Sequence, residues 1–232
     1  MTEEVPLSGG TTEGVVRVGN TVRRPRTARS TRVESLLVHL ERVGADVAPR
    51  FLGTDERGRQ VLEFVEGDSP TGPPFDLSDA AMASAMRLVR RFHDATAGTE
   101  WAEGSEVACH GDLGPHNTVF RGAEAVRLVD WDDDVTGGRR AVDVADAAWG
   151  FADLTSDTVP VVEQARRLSV CCQAYGDVTP DVVVVELLAQ FGRARRNHLA
   201  AGRDRPRAVF DRLIAWTEQN AQVLAGGGPG PR

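Results

Sequence analysis

The spacing of apolar residues is mostly typical of strands up to about residue 66 and mostly typical of helices after it. Residues 15–18 and 21–24 predict two short strands around a tight turn at Gly19-Asn20, and residues 51–54 and 60–65 predict a second strand pair joined by turn residues. Between the two pairs, residues 30–43 carry apolar side chains at helical spacing. The predicted order of this first part is therefore strand, strand, helix, strand, strand.

After Glu66 the pattern becomes mostly helical. Residues 67–74 are rich in Gly, Pro, Ser and Thr and predict a connector, and residues 78–97 predict a helix with Ser78 as its N-cap. Further along, residues 118–120 and 126–129 predict a small hairpin, and helices are predicted over about 142–153, 158–175, 180–200 and 206–224. We therefore predict an α+β fold of two lobes, with a small antiparallel sheet in residues 1–66 and a mostly helical lobe in residues 67–232.

The amino-acid composition argues against several classes of protein. Of the 232 residues, 41% are hydrophobic and 26% are charged, as is usual for globular proteins. The net charge of −7 argues against a general nucleic-acid binder, and no apolar run reaches the ~18 residues of a membrane span. The sequence does not open with a secretory leader, and Cys109, Cys171 and Cys172 fit neither a disulfide framework nor zinc spacing. We expect a cytoplasmic protein without nucleic-acid or membrane partners.

Residues 109–134 carry the candidate chemistry. The sequence there is CHGDLGPHNTVFRGAEAVRLVDWDDD, with His110 before Asp112, Asn117 five residues after it, and Asp130 at the end of an apolar strand. Phosphoryl transfer requires a carboxylate that orients the attacking hydroxyl and oxygen ligands for Mg²⁺. The spacing H-x-D-x-x-x-x-N is that of the protein-kinase catalytic loop, and Asp130 falls where kinases have their metal-binding Asp.

These motifs resemble the aminoglycoside phosphotransferase and choline kinase branch of the protein-kinase-like fold. That branch has HGD where protein kinases have HRD, and an Asp followed by Trp or Phe where they have DFG. The segments GTTEGVVRVGNTVRRP, APRFLGTDERGRQVLEFVEG and RRFHDA resemble its glycine loop with the following strands, its approach to the hinge, and the helix before its catalytic loop. The resemblance covers residues 7 to about 155 and implies a bilobal kinase-like fold with a hinge near residues 64–68.

The resemblance also implies roles for individual residues of the second lobe. Asp112 would be the catalytic base, and Asn117 and Asp130 would be the ligands of Mg²⁺. His110 would hold the catalytic loop through hydrogen bonds, and Asp143 would brace this loop from the next helix.

In the first lobe the resemblance implies a nucleotide site. Backbone groups of Glu63, Phe64 and Val65 would bind the adenine edge of ATP. Backbone N–H groups of Gly9 and Gly10 would approach the phosphates, and an ordinary turn at these glycines is the alternative.

One element of the kinase pattern is missing. Kinases hold the α- and β-phosphates with a Lys on the third strand, paired with a Glu on the following helix, and this chain has no Lys. The register with the family makes Arg24 the substitute and Glu34 its partner, whereas alternation along the strand puts Arg23 on the opposite face. The alternative is that Arg24 lies on the surface of a lobe that no longer binds nucleotide tightly.

We predict an ATP- and Mg²⁺-dependent kinase that transfers the γ-phosphate to a hydroxyl of a polar small molecule. The acidic second lobe favours an amine-bearing substrate such as an aminoglycoside. The alternative is a weak or inactive kinase-like protein with a binding or regulatory role, because the Lys is missing. The sequence leaves the substrate, the donor nucleotide and the oligomeric state open.

Overall fold

The computed structural model of the protein describes residues 3–7, 14–132 and 135–226. The strands there are β1 (Val5–Pro6), β2 (Val16–Val18), β3 (Thr21–Arg24), β4 (Phe51–Thr54), β5 (Gln60–Glu63), β6 (Val107–Cys109), β7 (Thr118–Arg121), β8 (Glu124–Leu128) and β9 (Thr136–Gly138). The helices are α1 (Ser30–Arg42), α2 (Asp79–Thr96), α3 (Arg140–Phe151), α4 (Val161–Tyr175), α5 (Pro180–Ala200) and α6 (Asp204–Leu224).

The first five strands form one antiparallel sheet in the order β1-β2-β3-β5-β4. Strand β3 lies in its centre and pairs with β5, so that Thr21 faces Glu63 and Arg24 faces Gln60. Helix α1 follows β3 along the chain, as the apolar spacing predicts. The α+β class with an antiparallel sheet is confirmed, and the lobe boundary at Glu66 stays a prediction.

The helices after the sheet carry most of the core. Ser78 caps α2 as predicted, since its Oγ accepts a hydrogen bond of 3.2 Å from the backbone N–H of Ala81. Helix α2 packs against α4, α3 and β8, and its buried face includes Met82, Met86 and Phe92. No helix of the described ranges combines the length and apolar character needed to cross a membrane.

Strands β6 and β9 form a separate antiparallel pair that the sequence analysis did not predict. Val107 faces Gly138 and Cys109 faces Thr136. Residues 136–138 are Thr-Gly-Gly and show no apolar run, so their strand character comes from the pairing and not from side-chain pattern. This pair brings the start of α3 beside the loop that follows β6.

The connection between the sheet and the helices crosses the β7–β8 hairpin at Gly67. Asp68 and Phe120 exchange two backbone hydrogen bonds of 2.9 and 2.8 Å. A Cβ at residue 67 would overlap the carbonyl oxygen of Phe120 and lie 2.7 Å from Cγ1 of Val119. Gly67 also has a φ of +143°, which L side chains rarely adopt. Both constraints require glycine at this crossing.

Replacing Gly67 by Ala is therefore expected to destabilise the protein by about 2 kcal/mol or more, through backbone strain and displacement of the hairpin. Chemical denaturation measures this loss. Gly72→Ala is the matched control, because Gly72 has a φ of +81° but open space where a Cβ would lie. An equal loss of stability in both variants would contradict the steric role of Gly67.

Candidate functional site

The loop between β6 and β7 is held by a buried carboxylate of α3. Asp143 accepts backbone hydrogen bonds from His110 at 2.7 Å and from Gly111 at 3.1 Å. His93 of α2 lies 3.1 Å from the same carboxylate, and its other ring nitrogen lies 2.7 Å from the hydroxyl of Tyr175. Asp143 thus fixes the backbone immediately before Asp112.

The charge of Asp143 is compensated locally. Burial alone would raise its pKa, but the hydrogen bonds from His93 and from the His110 backbone outweigh burial and hold the pKa below its ordinary value. The carboxylate is therefore ionised at neutral pH although it is completely buried.

Asp112 and Asn117 contact each other directly. The Asn117 amide nitrogen donates to the backbone oxygen and to Oδ2 of Asp112, both at 2.9 Å. His116 Nε2 lies 3.5 Å from Oδ1 of Asp112, whose side chain is 58% exposed. The neighbouring imidazole lowers the pKa of Asp112, and the pKa of His116 is raised in turn. The predicted base is therefore an ionised, oriented and accessible carboxylate.

Gly114 makes room for the His116 ring. Its backbone is extended, but a Cβ there would lie 2.8 Å from Cε1 of His116. Glycine at this position allows the imidazole to fold back towards Asp112. The sequence analysis did not predict this contact.

Asp130 is joined to the same loop through its neighbour Val129. The backbone N–H of Val129 donates to the Asn117 carbonyl at 2.9 Å, and the Val129 carbonyl lies 3.0 Å from Nε2 of His110. Asp130 itself adopts a φ of +63°, which turns the chain out of the strand. The structure thus brings the segments of Asp112, Asn117 and Asp130 together.

His110 has the structural position that the resemblance implies. Burial lowers its pKa, so the ring is neutral, and its contact with a carbonyl places the proton on Nε2. Nδ1 is then a lone-pair acceptor, and it is buried without a hydrogen-bond partner among the described atoms. The ring packs on Trp131 with a centroid distance of 4.5 Å, which fixes the segment around Asp130.

Arg24 reaches from β3 to the Asp130 segment. One guanidinium nitrogen donates to the Trp131 carbonyl at 2.8 Å, and the other lies 2.9 Å from both Asp130 Oδ1 and Asp132 Oδ2. Its side chain is only 7% exposed. Arg24 therefore lies in the site, against the carboxylate predicted to bind metal, and not on the surface.

The neighbours of Arg24 have different partners. Glu34 pairs with Arg26 at 2.9 Å and accepts a hydrogen bond of 3.2 Å from Gln60, so the pairing of Arg24 with Glu34 stays a prediction. Arg23 contacts Thr21 at 2.5 Å and Asp55 at 3.6 Å. The two adjacent arginines thus contact different parts of the molecule, as strand alternation requires.

The predicted adenine-binding residues lie where the sheet ends. The backbone N–H of Glu63 donates to the Arg50 carbonyl and that of Phe64 to the Asn20 carbonyl, both at 2.9 Å. These two N–H groups are therefore used inside the sheet, and half-buried Val65 is the first residue beyond them. Gly9 and Gly10 lie outside the described residues.

The donor set fits Mg²⁺. The Asn117 amide nitrogen donates to Asp112, so the amide oxygen is the Asn117 atom that could bind a metal, and the Asp130 side chain is partly exposed. Mg²⁺ is commonly bound by one or two such oxygen ligands together with phosphate oxygens. In the described part of the chain, no group of three or more His, Cys, Asp or Glu side chains forms a metal site complete in itself.

A cavity of about 530 Å³ opens beside Asp112. Its described lining includes no Arg, and its aromatic and titratable residues are Phe75, Trp149, His116, Asp112, Asp146, Asp153 and Asp157. Asp146 also accepts a hydrogen bond of 2.8 Å from the backbone N–H of Leu113. Burial, followed by the neighbouring charge of Asp143, raises the pKa of Asp146 to about 8.

This cavity and the contact of Asp146 with Leu113 were not predicted from the sequence. One signal was available, because Asp146 follows Asp143 by three residues and both therefore lie on the same face of α3. The rest of the lining comes from residues 73–75 and 153–158, which carry no recognisable motif.

Comparison with known proteins identifies relatives of the chain. No family model matches the sequence. The chain is 36% identical over 200 residues to the trifolitoxin immunity protein of Rhizobium leguminosarum bv. trifolii, a match that covers 76% of this chain and 75% of that protein.

Solved structures show the same fold at low sequence identity. A choline/ethanolamine kinase family protein from Mesorhizobium loti matches with a TM-score of 0.60 and 18% identity over 98% of this chain and 93% of that chain. The GDP complex of aminoglycoside 2'-phosphotransferase-IIIa matches with a TM-score of 0.62 and 12% identity over 94% and 93%. The resemblance drawn from the motifs is thereby confirmed. The chain has the kinase-like fold of the aminoglycoside phosphotransferases and choline/ethanolamine kinases, and it belongs to the family of the trifolitoxin immunity protein.

Proposed function

We propose that the protein is an ATP- and Mg²⁺-dependent phosphotransferase that acts on a hydroxyl of a polar small molecule. The observation that carries this proposal is the position of Asp112. It is ionised and accessible, it is oriented by Asn117, and it lines a cavity large enough for a small-molecule acceptor.

Asp112 would act as the base and orienting group for the acceptor. One carboxylate oxygen is held by the Asn117 amide, and the side chain is open towards the cavity. An acceptor hydroxyl in this cavity can donate to Asp112 and pass its proton to the carboxylate as the phosphoryl group is transferred. Mg²⁺, when bound, would neutralise charge on the phosphates.

On the nucleotide side, Asn117 and Asp130 would hold Mg²⁺, and Arg24 would supply the positive charge that kinases take from Lys. To take this role, Arg24 would exchange its 2.9 Å contact with Asp130 Oδ1 for the phosphates, so that Asp130 could bind Mg²⁺. Backbone groups near Glu63 and Val65 would complete the proposed ATP site, together with the approach of Gly9 and Gly10 to the phosphates that the sequence predicts. The GDP complex of a structural neighbour supports nucleotide binding in this fold.

The cavity supports an acceptor that carries positive charge. Four aspartates contribute to its lining, and Asp153 among them already pairs with Arg167 at 2.6 Å. The ionised carboxylate of Asp112 contributes a negative potential at the acceptor position, which attracts ammonium groups. An aminoglycoside is one molecule of this kind.

Kinship with a trifolitoxin immunity protein supports a protective role, in which a toxin would be the acceptor and its phosphorylation would inactivate it. The second candidate is protection by binding alone. The absence of Lys favours this alternative, as does the ion pair that Arg24 makes with Asp130, since nucleotide and Mg²⁺ must compete with it.

Asp112→Asn separates these two functions. The amide keeps the size of the side chain but cannot take a proton, so kcat for ADP release with an accepted substrate should fall by roughly 10²–10⁴-fold. Mg²⁺·ATP binding, measured by calorimetry, should persist. In cells that the wild-type protein protects, Asp112→Asn should abolish protection. Protection that survives this substitution would contradict phosphorylation and favour binding.

Arg24 and Arg23 provide a matched pair for the nucleotide site. Arg24→Ala is expected to weaken ATP binding by about 1.5–3 kcal/mol, the scale of a charge-assisted contact, whereas Arg23→Ala should change it little. Arg24→Lys tests whether the cleft fits a guanidinium or an ammonium group. If the cleft is adapted to the guanidinium, this variant should bind ATP less well, and if it is shaped for an ammonium, the variant should bind ATP equally well or better. Thermal denaturation controls for folding. Unchanged ATP affinity in both Arg24 variants would remove Arg24 from the nucleotide site.

A further inference from the structure

Two carboxylates of α3 hold the backbone on both sides of Asp112. Asp143 accepts from the N–H groups of His110 and Gly111, and Asp146 accepts from that of Leu113 at 2.8 Å. The two acids are three residues apart and project from one face of the helix. The predicted base therefore lies between two points of attachment to the same helix.

The two attachments differ in their surroundings. Asp143 is completely buried and is paired with His93, so its charge is fixed by the protein itself. Asp146 lines the cavity beside Asp112, so its charge is open to influence by whatever occupies that cavity. Only the attachment at Leu113 can therefore respond to an acceptor.

The charges around Asp146 leave it poorly compensated. Burial is the largest cause that raises the pKa of Asp146 to about 8, and the charge of Asp143 is the second. The charge of Asp112 raises this pKa further, whereas His116 lowers it. The segment after α3 contributes Asp157 and Asp153 to the same cavity, the latter paired with Arg167 of α4. Without a further positive charge in the cavity, this raised pKa keeps Asp146 largely protonated at neutral pH.

We propose that Asp146 is a positioning residue that couples a positive charge in the acceptor cavity to the placement of Asp112, through the backbone N–H of Leu113. The proposal rests on the proposed function in taking this cavity as the acceptor site. A cation beside Asp146 favours the carboxylate, and one proton passes from Asp146 to solvent. The ionised carboxylate then accepts a stronger hydrogen bond from Leu113, which fixes the residue next to the base.

The coupling within the protein can be tested without any ligand. In the full-length chain, ¹³C-carboxyl NMR of Asp146 and the amide signals of Leu113 should titrate together near pH 8, with the amide proton moving downfield as the carboxylate forms. Asp146→Asn should abolish the Leu113 titration, whereas Asp157→Asn, which removes another acid of the same cavity, should leave it in place. A Leu113 amide that ignores the ionisation of Asp146 overturns the proposal.

The response to charge is tested with a matched pair of probes. 1,3-Diamino-2-propanol is glycerol with its two terminal hydroxyls replaced by amines, and both molecules are small enough for this cavity. At constant ionic strength and up to about 50 mM, the diamine should shift the Asp146 and Leu113 titration to lower pH by at least about half a unit, and glycerol should not. Equal effects of the two probes, or no effect of the diamine, overturn the proposal.

A separate control tests whether the Asp146→Asn variant is folded. The amide oxygen that Asp146→Asn introduces can still accept from the Leu113 N–H, so the variant should keep its fold. Because the folded-state pKa of Asp146 lies above its ordinary value, the wild-type protein loses stability as pH rises towards 8 and this carboxyl ionises. The thermal midpoint of Asp146→Asn should therefore match or exceed that of the wild type at about pH 8–9.

Measurement of kcat distinguishes a positioning role of Asp146 from a purely structural one. With Mg²⁺·ATP and a hydroxylated amine as acceptor, Asp146→Asn should lower kcat by about 10- to 100-fold while KM for ATP stays unchanged, since misplacing the base affects the transfer step. A wild-type protein that binds no Mg²⁺·ATP would contradict the proposed function, and the NMR titrations would still decide the coupling. Coupled titrations with unchanged kcat in the variant would overturn the positioning role.

Discussion

The structure around the site depends on one buried negative charge, that of Asp143. A fully buried carboxylate costs several kcal/mol unless hydrogen bonds and an opposite charge compensate it. Here the compensating groups are His93 of α2 and the backbone N–H groups of His110 and Gly111. Removing any one of these three groups would leave the buried carboxylate of Asp143 partly uncompensated. The requirement to neutralise Asp143 therefore locks two helices and the catalytic loop into one unit.

A second constraint follows from the absence of Lys. A lysine ammonium is a compact point charge, whereas the planar guanidinium of Arg24 presents separate nitrogens to the Trp131 carbonyl and to the carboxylates of Asp130 and Asp132. The segment after β8 is thus tied to the sheet by Arg24, the predicted substitute for Lys. Because Asp130 cannot give the same oxygen fully to Arg24 and to a metal, the proposed binding of Mg²⁺ and nucleotide would compete with this tie.

The parts of the fold that were predictable are those set by local pattern. The apolar stripe of α1 and the Ser78 cap of α2 are signals within a few residues, and both agree with the structure. The strand pair β6–β9 was not predictable, because Thr-Gly-Gly in β9 has no strand pattern and acquires its structure from a partner about thirty residues away. Local sequence determines an element only where its own side chains decide the conformation.

The candidate site likewise has one part that is set by local sequence and another that is assembled from distant segments. Asp112 and Asn117 are five residues apart, and the two hydrogen bonds between them are short-range contacts of a compact loop, so a motif can reveal them. The cavity beside Asp112 is assembled from segments around Pro73, His116, Asp146 and Ser156, none of which is informative alone. The predicted catalytic half of the site is therefore encoded in contiguous sequence, and the proposed acceptor half in tertiary packing. A family can consequently keep the transfer chemistry unchanged while its acceptor changes, because substitutions in the cavity segments leave the contacts among Asp112, Asn117 and Asp143 intact.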